Sequence, residues 1–295
     1  MSDSAHAKNI TLQSEHHPLV SVEPKTREEL VLWLVQNKAY AEAAAIATGL
    51  TVLDVGCNVG YGSDILANSA AQVTGVDVSA RAIAVATERY RRGGLAFREV
   101  DGITLPFDDA SFDVVTSFQV IEHLQDVSRY LQEIARVVKP GGKVLFTTPN
   151  RDIRLDPGMK PWNKFHVTEF DASSLSALLT PHFAGVEVRG LFAETALYDI
   201  EFERSQRMLR LARQKPLAAL HGLISRVLPV RLVAKLEGML RGLLKAAGRG
   251  ATPLDQAELW RWTLDDLYYR SDGLDKSMDF MAVCTGRQGG GGQAT

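Results

Sequence analysis

Cysteine, long apolar runs and an excess of one charge are all scarce in this chain. Its two cysteines, Cys57 and Cys284, lie too far apart in sequence for a metal motif and are too few for a disulfide framework. No apolar run approaches the roughly 20 residues that a membrane-spanning helix needs. The polar start lacks the basic region and apolar run of a secretory signal. These features predict a cytoplasmic protein in a reducing compartment.

What the chain does contain is enough apolar residues for a substantial core. It has 295 residues, of which 45% are hydrophobic and 23% charged, and its net charge is -2. Such a composition is typical of a folded globular protein and not of a disordered or fibrous one. The near-neutral charge gives no reason to expect nucleic acid or an acidic partner.

Short apolar runs alternate with helical patterns over the first half of the chain. After a helix at about 26–47, apolar runs occur at 51–55, 72–76, 96–100, 113–118 and 143–147, with helical patterns at 62–70, 81–92 and 127–138 between them. This alternation predicts βαβ units and a parallel sheet covered on both faces. A helix at 168–179 and strands at about 186–192 and 279–285 follow.

The pattern divides the chain into five parts. We predict a flexible arm over 1–24, an α/β core over 25–200, a basic helical insertion or lid over 201–277, a final core strand over 278–286 and a disordered tail over 287–295.

The insertion concentrates positive charge that the net charge hides. Between 204 and 249 there are eleven basic residues and one acid, a local charge of +10, and leucines recur every three or four residues. Such helices suit a solvated lid or homodimer surface, or peripheral contact with an anionic membrane. Nucleic acid is the least favoured partner, because the basic residues alternate with aliphatic and not with stacking aromatic side chains.

A glycine-rich turn follows the first predicted strand. It is formed by Asp54-Val55-Gly56-Cys57-Asn58-Val59-Gly60-Tyr61-Gly62. Gly56 and Gly60 allow the backbone to approach a ligand closely at the start of a helix, and Asn58 tolerates a positive φ. Nicotinamide sites use G-x-G-x-x-G, whereas here Asn58 replaces the second glycine. The preceding Asp54 would repel a pyrophosphate and attract a cationic ligand.

Two further carboxylates end the next two predicted strands. Asp77 comes 21 residues after Gly56, where it can accept both hydroxyls of a ribose, and Asp101 is placed to meet an adenine amino group. Together with Asp54, they predict a site for a cationic, ribose-bearing cofactor at the carboxyl ends of the strands.

These motifs resemble those of class I S-adenosylmethionine-dependent methyltransferases, in particular the ubiquinone- and glycan-modifying group. The resemblance covers about 50–150 and is carried by the glycine loop, Gly75-Val76-Asp77-Val78-Ser79, Asp101 to Phe107, Ser111-Phe112-Asp113-Val114-Val115 and Val138-Lys139-Pro140-Gly141-Gly142. It implies a doubly wound, mostly parallel seven-stranded sheet of Rossmann-like type, with S-adenosylmethionine as the methyl donor. The cofactor-binding residues it implies are Asp54, Gly56, Asn58, Gly60, Asp77, Val78, Asp101, Gly102, Ile103, Phe118 and Gln119.

The end of the fourth strand offers the candidate catalytic groups. Methyl transfer to a hydroxyl requires removal of a proton, and Glu122 with His123 follows the strand directly. We predict His123 as the base, the alternative being a histidine that contacts the cofactor or packs under the lid.

Glu122, His123 and the later His166 also resemble the Glu-x-x-Glu-His pattern with a distant histidine. Quinone-precursor and small-RNA 2′-O-methyltransferases use that pattern to bind a divalent metal. Gln119 stands here where the first glutamate would be, which leaves one carboxylate for a hard Mg²⁺ ion. The sequence therefore predicts no metal, with these three residues as the alternative ligand set.

The function predicted is O-methylation of a small-molecule, glycan or lipid-linked acceptor. Three alternatives stay open: an RNA 2′-O-methyltransferase, an enzyme using NAD or a nucleotide sugar, and a non-catalytic subunit that binds S-adenosylmethionine.

Overall fold

The computed structural model describes residues 23–224, 253–255 and 261–287, with 214–224 as backbone only. Most of the predicted arm, residues 225–252 and 256–260 of the predicted insertion and the tail from 288 onward lie outside the described residues.

A single sheet organises the described part of the chain. Its strands are β1 (Thr51–Val55), β2 (Gln72–Asp77), β3 (Leu95–Glu99), β4 (Phe112–Phe118), β5 (Val138–Pro149), β6 (Gly185–Ala193), β7 (Leu267–Arg270) and β8 (Asp279–Thr285). The order across the sheet is β3-β2-β1-β4-β5-β8-β6-β7. The first five are parallel, and β8 runs antiparallel to both β5 and β6.

Within the described residues, seven helices connect or cover these strands. They are α1 (Arg27–Ile46), α2 (Tyr61–Leu66), α3 (Ala80–Arg89), α4 (Val127–Val137), α5 (Arg151–Arg154), α6 (Ala172–Leu179) and α7 (Thr195–Ile224). Short 3-10 turns occur at Ile121–His123, Leu264–Asp266 and Leu274–Lys276. The order of the strands reverses between β1 and β4, which places the expected ligand crevice at their carboxyl ends.

The doubly wound, mostly parallel sheet is as predicted, but it has eight strands and not seven. The additional strand, β7, lies inside the predicted helical insertion and pairs with β6 antiparallel. Its four residues include Tyr268 and Tyr269, a residue type that favours strands. A run of four residues directly after the turn at Leu264–Asp266 is too short to show the alternation of apolar and polar residues that predicts a strand.

The helix α1 packs against strands from both halves of the sheet. Thr26 caps it by accepting a hydrogen bond from the Glu29 amide. Its buried side chains join two apolar clusters, one with β1 and β2 and one with β6, β7 and Trp262. A Cβ added to Gly62 would lie 1.9 Å from the Tyr40 ring. Only glycine at position 62 therefore allows α1 to pack this closely against α2.

The helix α7 begins before the predicted insertion and carries its first basic residues. Arg204 pairs with Glu201, Arg207 with Glu28 on α1, and Arg213 with Asp156. These three arginines are part of the local charge of +10 that predicted a basic face, but in the described structure each one is neutralised by a carboxylate. None of the helices in the described part of the chain is long and apolar enough to cross a membrane.

Candidate functional site

The glycine loop adopts the backbone conformations that its sequence predicts. Gly56, Asn58 and Gly60 have φ of 80°, 46° and 82°. A Cβ on Gly56 would lie 2.5 Å from a methyl carbon of Val120, so the position also excludes a side chain by crowding. Asn58, a residue type that tolerates a positive φ, adopts one here.

Asp77 lies next to this loop, at the end of β2. Its Oδ2 accepts a hydrogen bond from the Asn58 amide at 2.9 Å, and its Oδ1 accepts one from the Ser79 amide at 2.8 Å. The structure thus brings the loop and Asp77 together, with Val78 between Asp77 and Ser79. Contact of Asp77 with a ribose stays a prediction.

Asp54 is buried beneath the loop and does not reach the surface. Its side chain is 0% exposed, and its oxygens accept hydrogen bonds from Ser63 at 2.6 Å and Thr116 at 2.8 Å, with the Tyr40 hydroxyl at 3.4 Å. Burial raises the pKa of Asp54 to about 6, although these hydroxyl contacts act to lower it. Direct contact with the methionine end of a cofactor stays a prediction; the contacts observed join β1, β4, α1 and α2.

Asp101 organises an exposed turn after β3. Its Oδ1 accepts hydrogen bonds from the Ile103 and Thr104 amides, both at 2.8 Å, while Gly102 has a φ of 74°. Further along, Arg136 of α4 donates to the carbonyl oxygens of Leu105 and Phe107. The turn predicted to meet the adenine is therefore fixed at both ends.

The end of β4 bends sharply at Gln119. Phe118 packs edge-to-face on Tyr40, with 4.9 Å between ring centroids. Gln119 has a φ of 57°, a conformation that costs energy for a residue other than glycine. Its Nε2 donates to Asp279 Oδ2 at 2.8 Å, so the side chain points toward β8.

Glu122, His123 and His166 form a cluster directly after this bend. One donor atom from each lies within 4.8 Å of the other two. Glu122 is 0% exposed; its Oε2 accepts a hydrogen bond from Thr148 at 3.1 Å, whereas its Oε1 is buried with no hydrogen-bond partner among the described residues. The two imidazole rings meet edge-to-face at 4.8 Å.

Burial sets the protonation of this cluster. It raises the pKa of Glu122 to about 7, partly opposed by the nearby His166. It lowers the pKa of His123 to about 4, although the contact of its Nδ1 with the Phe165 carbonyl acts in the opposite direction. His123 is therefore neutral near pH 7, as a proton acceptor or a metal ligand must be.

A cavity of about 200 Å³, here called the Gln119 cavity, adjoins the cluster. Leu32, Val35, Pro149 and Met278 give it an apolar wall. The polar part of its lining consists of Gln36, Gln119, Arg154, Asn163, His166, Glu201, Arg204 and Asp279, and Trp162 completes it. His166 lines the cavity and His123 does not.

Trp162 is held between two arginines beside this cavity. The Arg154 guanidinium lies 4.2 Å from the Trp162 ring centroid and that of Arg204 lies 5.8 Å away. Each arginine also pairs with a buried carboxylate, Arg154 with Glu169 at 2.9 Å and Arg204 with Glu201 at 2.6 Å. The positive charge at the cavity is thus matched by negative charge.

Sequence reasoning missed most of the residues around Asp54 and the Gln119 cavity. Tyr40, Ser63 and Thr116 gave no signal, because hydroxyl residues are common in helices and strands alike. Glu169 had a signal that was not used: it follows His166 by three residues, and the two side chains meet at 2.7 Å.

The protein has an α/β fold whose strand order reverses between β1 and β4, the position at which such sheets bind their ligands. A family described as "Methyltransferase domain" matches residues 53–146. A protein of Mycolicibacterium smegmatis named "Probable S-adenosylmethionine-dependent methyltransferase" is 36% identical over 197 residues, which cover 66% of this chain and 76% of that protein. The chain therefore belongs to the S-adenosylmethionine-dependent methyltransferases.

Other relatives match shorter parts. A protein of the same description from Mycobacterium tuberculosis is 41% identical over 164 residues, covering 55% of this chain and 59% of its own. A ubiquinone biosynthesis O-methyltransferase from Paracidovorax citrulli is 35% identical over 48% of this chain and 57% of its own. The chain thus spans less than two thirds of these two relatives.

Among solved structures, the [4+2]-cyclase SpnF has a TM-score of 0.51 at 20% identity, over 97% of this chain and 96% of its own. The YcgJ protein from Bacillus subtilis has a TM-score of 0.50 at 15% identity, over 86% of this chain and 100% of its own. These similarities show the Rossmann-like fold. Because a cyclase shares it, the reaction must be argued from the site.

Proposed function

We propose that this protein transfers a methyl group from S-adenosylmethionine to an oxygen of a small-molecule, glycan or lipid-linked acceptor. The observation that carries the proposal is the position of the Gln119 cavity. It opens at the carboxyl end of β4, the strand beside the glycine loop of β1, and it has one apolar wall and one polar side. At about 200 Å³ it is smaller than a typical ligand pocket, so only a small acceptor or the reacting end of a larger one fits.

On the cofactor side, the residues act mainly through the backbone they hold. Gly56, Asn58 and Gly60 would present the loop to the methionine end, and Asp54 would hold the loop against α2 through Ser63. Asp77 would accept the ribose hydroxyls, Asp101 with Gly102 and Ile103 would contact the adenine, and Val78, Phe118 and Gln119 would complete the crevice. Alignment of the acceptor oxygen with the methyl group would then supply much of the rate.

On the acceptor side, Glu122 and His123 are the groups proposed to assist loss of the hydroxyl proton. His123 is neutral near pH 7, and Glu122 has an oxygen without a hydrogen-bond partner in the described structure. The residues also fit a divalent cation: Glu122, His123 and His166 would hold it, and such an ion lowers the pKa of a bound hydroxyl.

Calorimetry with S-adenosylhomocysteine and with NAD tests the cofactor. We expect binding of the first and none of the second; the reverse result would favour the nicotinamide or nucleotide-sugar alternative.

Transfer of tritiated methyl groups into fractionated host extract tests the acceptor. Label in lipid or water-soluble fractions supports the proposal, whereas label in RNA favours the 2′-O-methyltransferase alternative.

A non-catalytic role is tested in the same assay. If the purified protein binds S-adenosylhomocysteine but His123→Ala leaves the methyl transfer of its complex unchanged, the protein is a cofactor-binding subunit.

Peripheral contact with an anionic membrane through 204–249 is a separate part of the proposal. Three of its arginines are paired within the structure, so the remaining basic residues must supply the attraction. Sedimentation with vesicles containing anionic lipid should show binding that falls as salt rises, and equal binding to neutral vesicles would contradict it.

A further inference from the structure

Two of the described carboxylates line the Gln119 cavity, and they differ in their partners. Both oxygens of Glu201 accept hydrogen bonds from Arg204, each at 2.6 Å. Asp279 is 5% exposed and accepts hydrogen bonds from two amides, that of Gln119 at 2.8 Å and the backbone amide of Phe280 at 3.0 Å. No basic side chain in the described part of the chain pairs with Asp279, so its charge is not matched as that of Glu201 is.

Gln119 is fixed beside Asp279 by a strained backbone and two hydrogen bonds. Its φ of 57° is costly for a residue other than glycine, and such strain persists where the surrounding contacts impose it. Its Nε2 donates to Asp279 Oδ2 and, at 3.3 Å, to Thr147 Oγ1. Both amide hydrogens are thereby used, so Gln119 can offer a ligand only its amide oxygen. We call Gln119 and Asp279 the base of the cavity.

Two other amides that line the cavity are arranged in the opposite sense. Gln36 Oε1 accepts a hydrogen bond from the Tyr61 hydroxyl at 2.7 Å, and Asn163 Oδ1 accepts one from the Phe165 amide at 3.1 Å. Their side-chain nitrogens make no hydrogen bond within the described residues and remain as donors. The lining therefore combines accepting groups at its base with donating groups elsewhere, and a hydroxyl can pair with both.

The protonation of Asp279 also favours a hydroxyl. Burial, followed by the nearby carboxylate of Glu122, raises the pKa of Asp279 well above its usual value. A hydroxyl suits either form of the group, because it donates to an ionised carboxylate and accepts from a neutral carboxyl. An ammonium group pairs only with the ionised form, and an ether oxygen only with the neutral form.

We propose that Asp279 and Gln119 select the methyl acceptor by binding two neighbouring hydroxyls of it, one of which receives the methyl group. Gln119 ends β4 beside the predicted cofactor crevice, so it holds the hydroxyl that is methylated, and Asp279 holds the other. The two accepting groups are themselves joined by a hydrogen bond, so neighbouring hydroxyls satisfy both. The proposal rests on the proposed function for the methyl transfer, but its test measures binding of the hydroxyls alone.

Three ring compounds are titrated into the full-length protein and followed by saturation-transfer NMR. Vicinal cis-cyclohexanediol carries the hydroxyl pair, cyclohexanol lacks one hydroxyl, and vicinal cis-aminocyclohexanol has an amine in its place. The diol should bind at least about tenfold more tightly than the other two, because each of them loses a hydrogen bond to a buried group. Equal binding of the diol and cyclohexanol, tighter binding of the amine, or no binding of any of the three overturns the proposal.

Variants locate the hydroxyl pair. Asp279→Asn replaces an accepting oxygen with a donor and should remove the preference for the diol. Gln119→Asn should do the same, because asparagine tolerates the positive φ while its shorter side chain withdraws the amide from Asp279. Asp275→Asn, an exposed substitution of the same kind in the turn before β8, is the matched control and should keep the preference.

Urea unfolding shows whether each variant is folded, and Gln119→Asn decides alone if Asp279→Asn is not. A preference for the diol that survives in the folded variants means that the diol binds elsewhere, and the proposal is then wrong. The titrations are made with and without S-adenosylhomocysteine, so failure of the cofactor proposal leaves them valid.

The methyl-transfer assay separates acceptor binding from a structural role. With the extract fraction that the wild type labels, Asp279→Asn should need about tenfold more of the fraction for half-maximal labelling, at a maximal rate within about threefold of the wild type. A merely structural role would lower the maximal rate and the affinity for S-adenosylhomocysteine together. If label is transferred but the diol is not preferred, the proposed function stands and this proposal falls.

Discussion

The predicted cofactor crevice and the Gln119 cavity are neighbours in space but differ in how the chain builds them. The crevice residues lie at or just after the carboxyl ends of β1, β2, β3 and β4, so each one belongs to the end of a strand or to the turn next to it. The cavity is assembled from α1, the end of β4, the segment 149–166, α7 and the start of β8. Gln119 and Asp279, which meet at its base, are 160 residues apart in sequence.

The difference explains why one region can be interpreted from motifs and the other cannot. A turn after a strand has few backbone solutions, so glycines and acids at fixed offsets identify it. A cavity between distant segments depends on how helices pack, which no local pattern encodes.

The largest effect expected on the cofactor side follows from Asp77→Ala. The variant loses a carboxylate proposed to bind both ribose hydroxyls and seen to bind the Asn58 and Ser79 amides. Two hydrogen bonds to a charged group correspond to about 3 to 4 kcal/mol, so calorimetry should show S-adenosylhomocysteine binding several hundredfold weaker. Glu99→Gln, at the end of β3, is the control and should bind within about twofold of the wild type. Binding by Asp77→Ala within about tenfold would contradict this role.

Asp54→Asn tests whether the carboxylate buried beneath the crevice has the raised pKa that its burial implies. The pKa of Asp54 is raised from 3.8 to about 6, so the folded state binds the proton more tightly than the unfolded state. The wild type should therefore lose about 3 kcal/mol of unfolding free energy relative to the variant as pH rises from about 3 to about 7. Urea unfolding of both proteins across this range measures the difference, and parallel pH profiles would show that Asp54 has no raised pKa.

Trp162→Leu tests the cavity side alone. The substitution removes the ring that both Arg154 and Arg204 contact, at a cost of about 1 to 2 kcal/mol. Transfer of tritiated methyl groups into the extract fraction labelled by the wild type should fall about tenfold, with S-adenosylhomocysteine affinity unchanged. The matched control is Phe202→Leu, an exposed aromatic on α7 outside the cavity lining. Equal loss of cofactor affinity would mean that the two regions are not separable.

The smallest effect is expected where α7 contacts α1. Arg207 pairs with Glu28 at 2.9 Å; the side chain of Arg207 is 28% exposed and that of Glu28 is 11% exposed. Arg207→Gln should therefore lower the unfolding free energy by less than about 1 kcal/mol, measured by urea unfolding. Leu209→Ala on the same helix removes a buried side chain and should cost more. A larger loss from Arg207→Gln than from Leu209→Ala would show that charge, and not packing, holds α7.

Much of the fold could be predicted because periodicity marks each βαβ unit. Every predicted strand is present: β1 and β8 have the predicted bounds of Thr51–Val55 and Asp279–Thr285, and the bounds of the others are shifted by one to five residues. The strand β7 was missed because four residues carry too little pattern. The start of α7 at Thr195 was missed because the leucine and arginine periodicity that marked the insertion becomes evident only later in the helix.

The sequence by itself determined the parallel part of the sheet, the glycine loop and the acids at the ends of β1, β2 and β3, since each depends on a strand and the turn next to it. The tertiary structure alone decided which groups contact them. It placed Asp54 among three hydroxyls, directed Gln119 to Asp279, and brought His166 and Glu169 to Glu122. Those contacts join segments far apart in the chain, so they follow from packing and not from any local pattern.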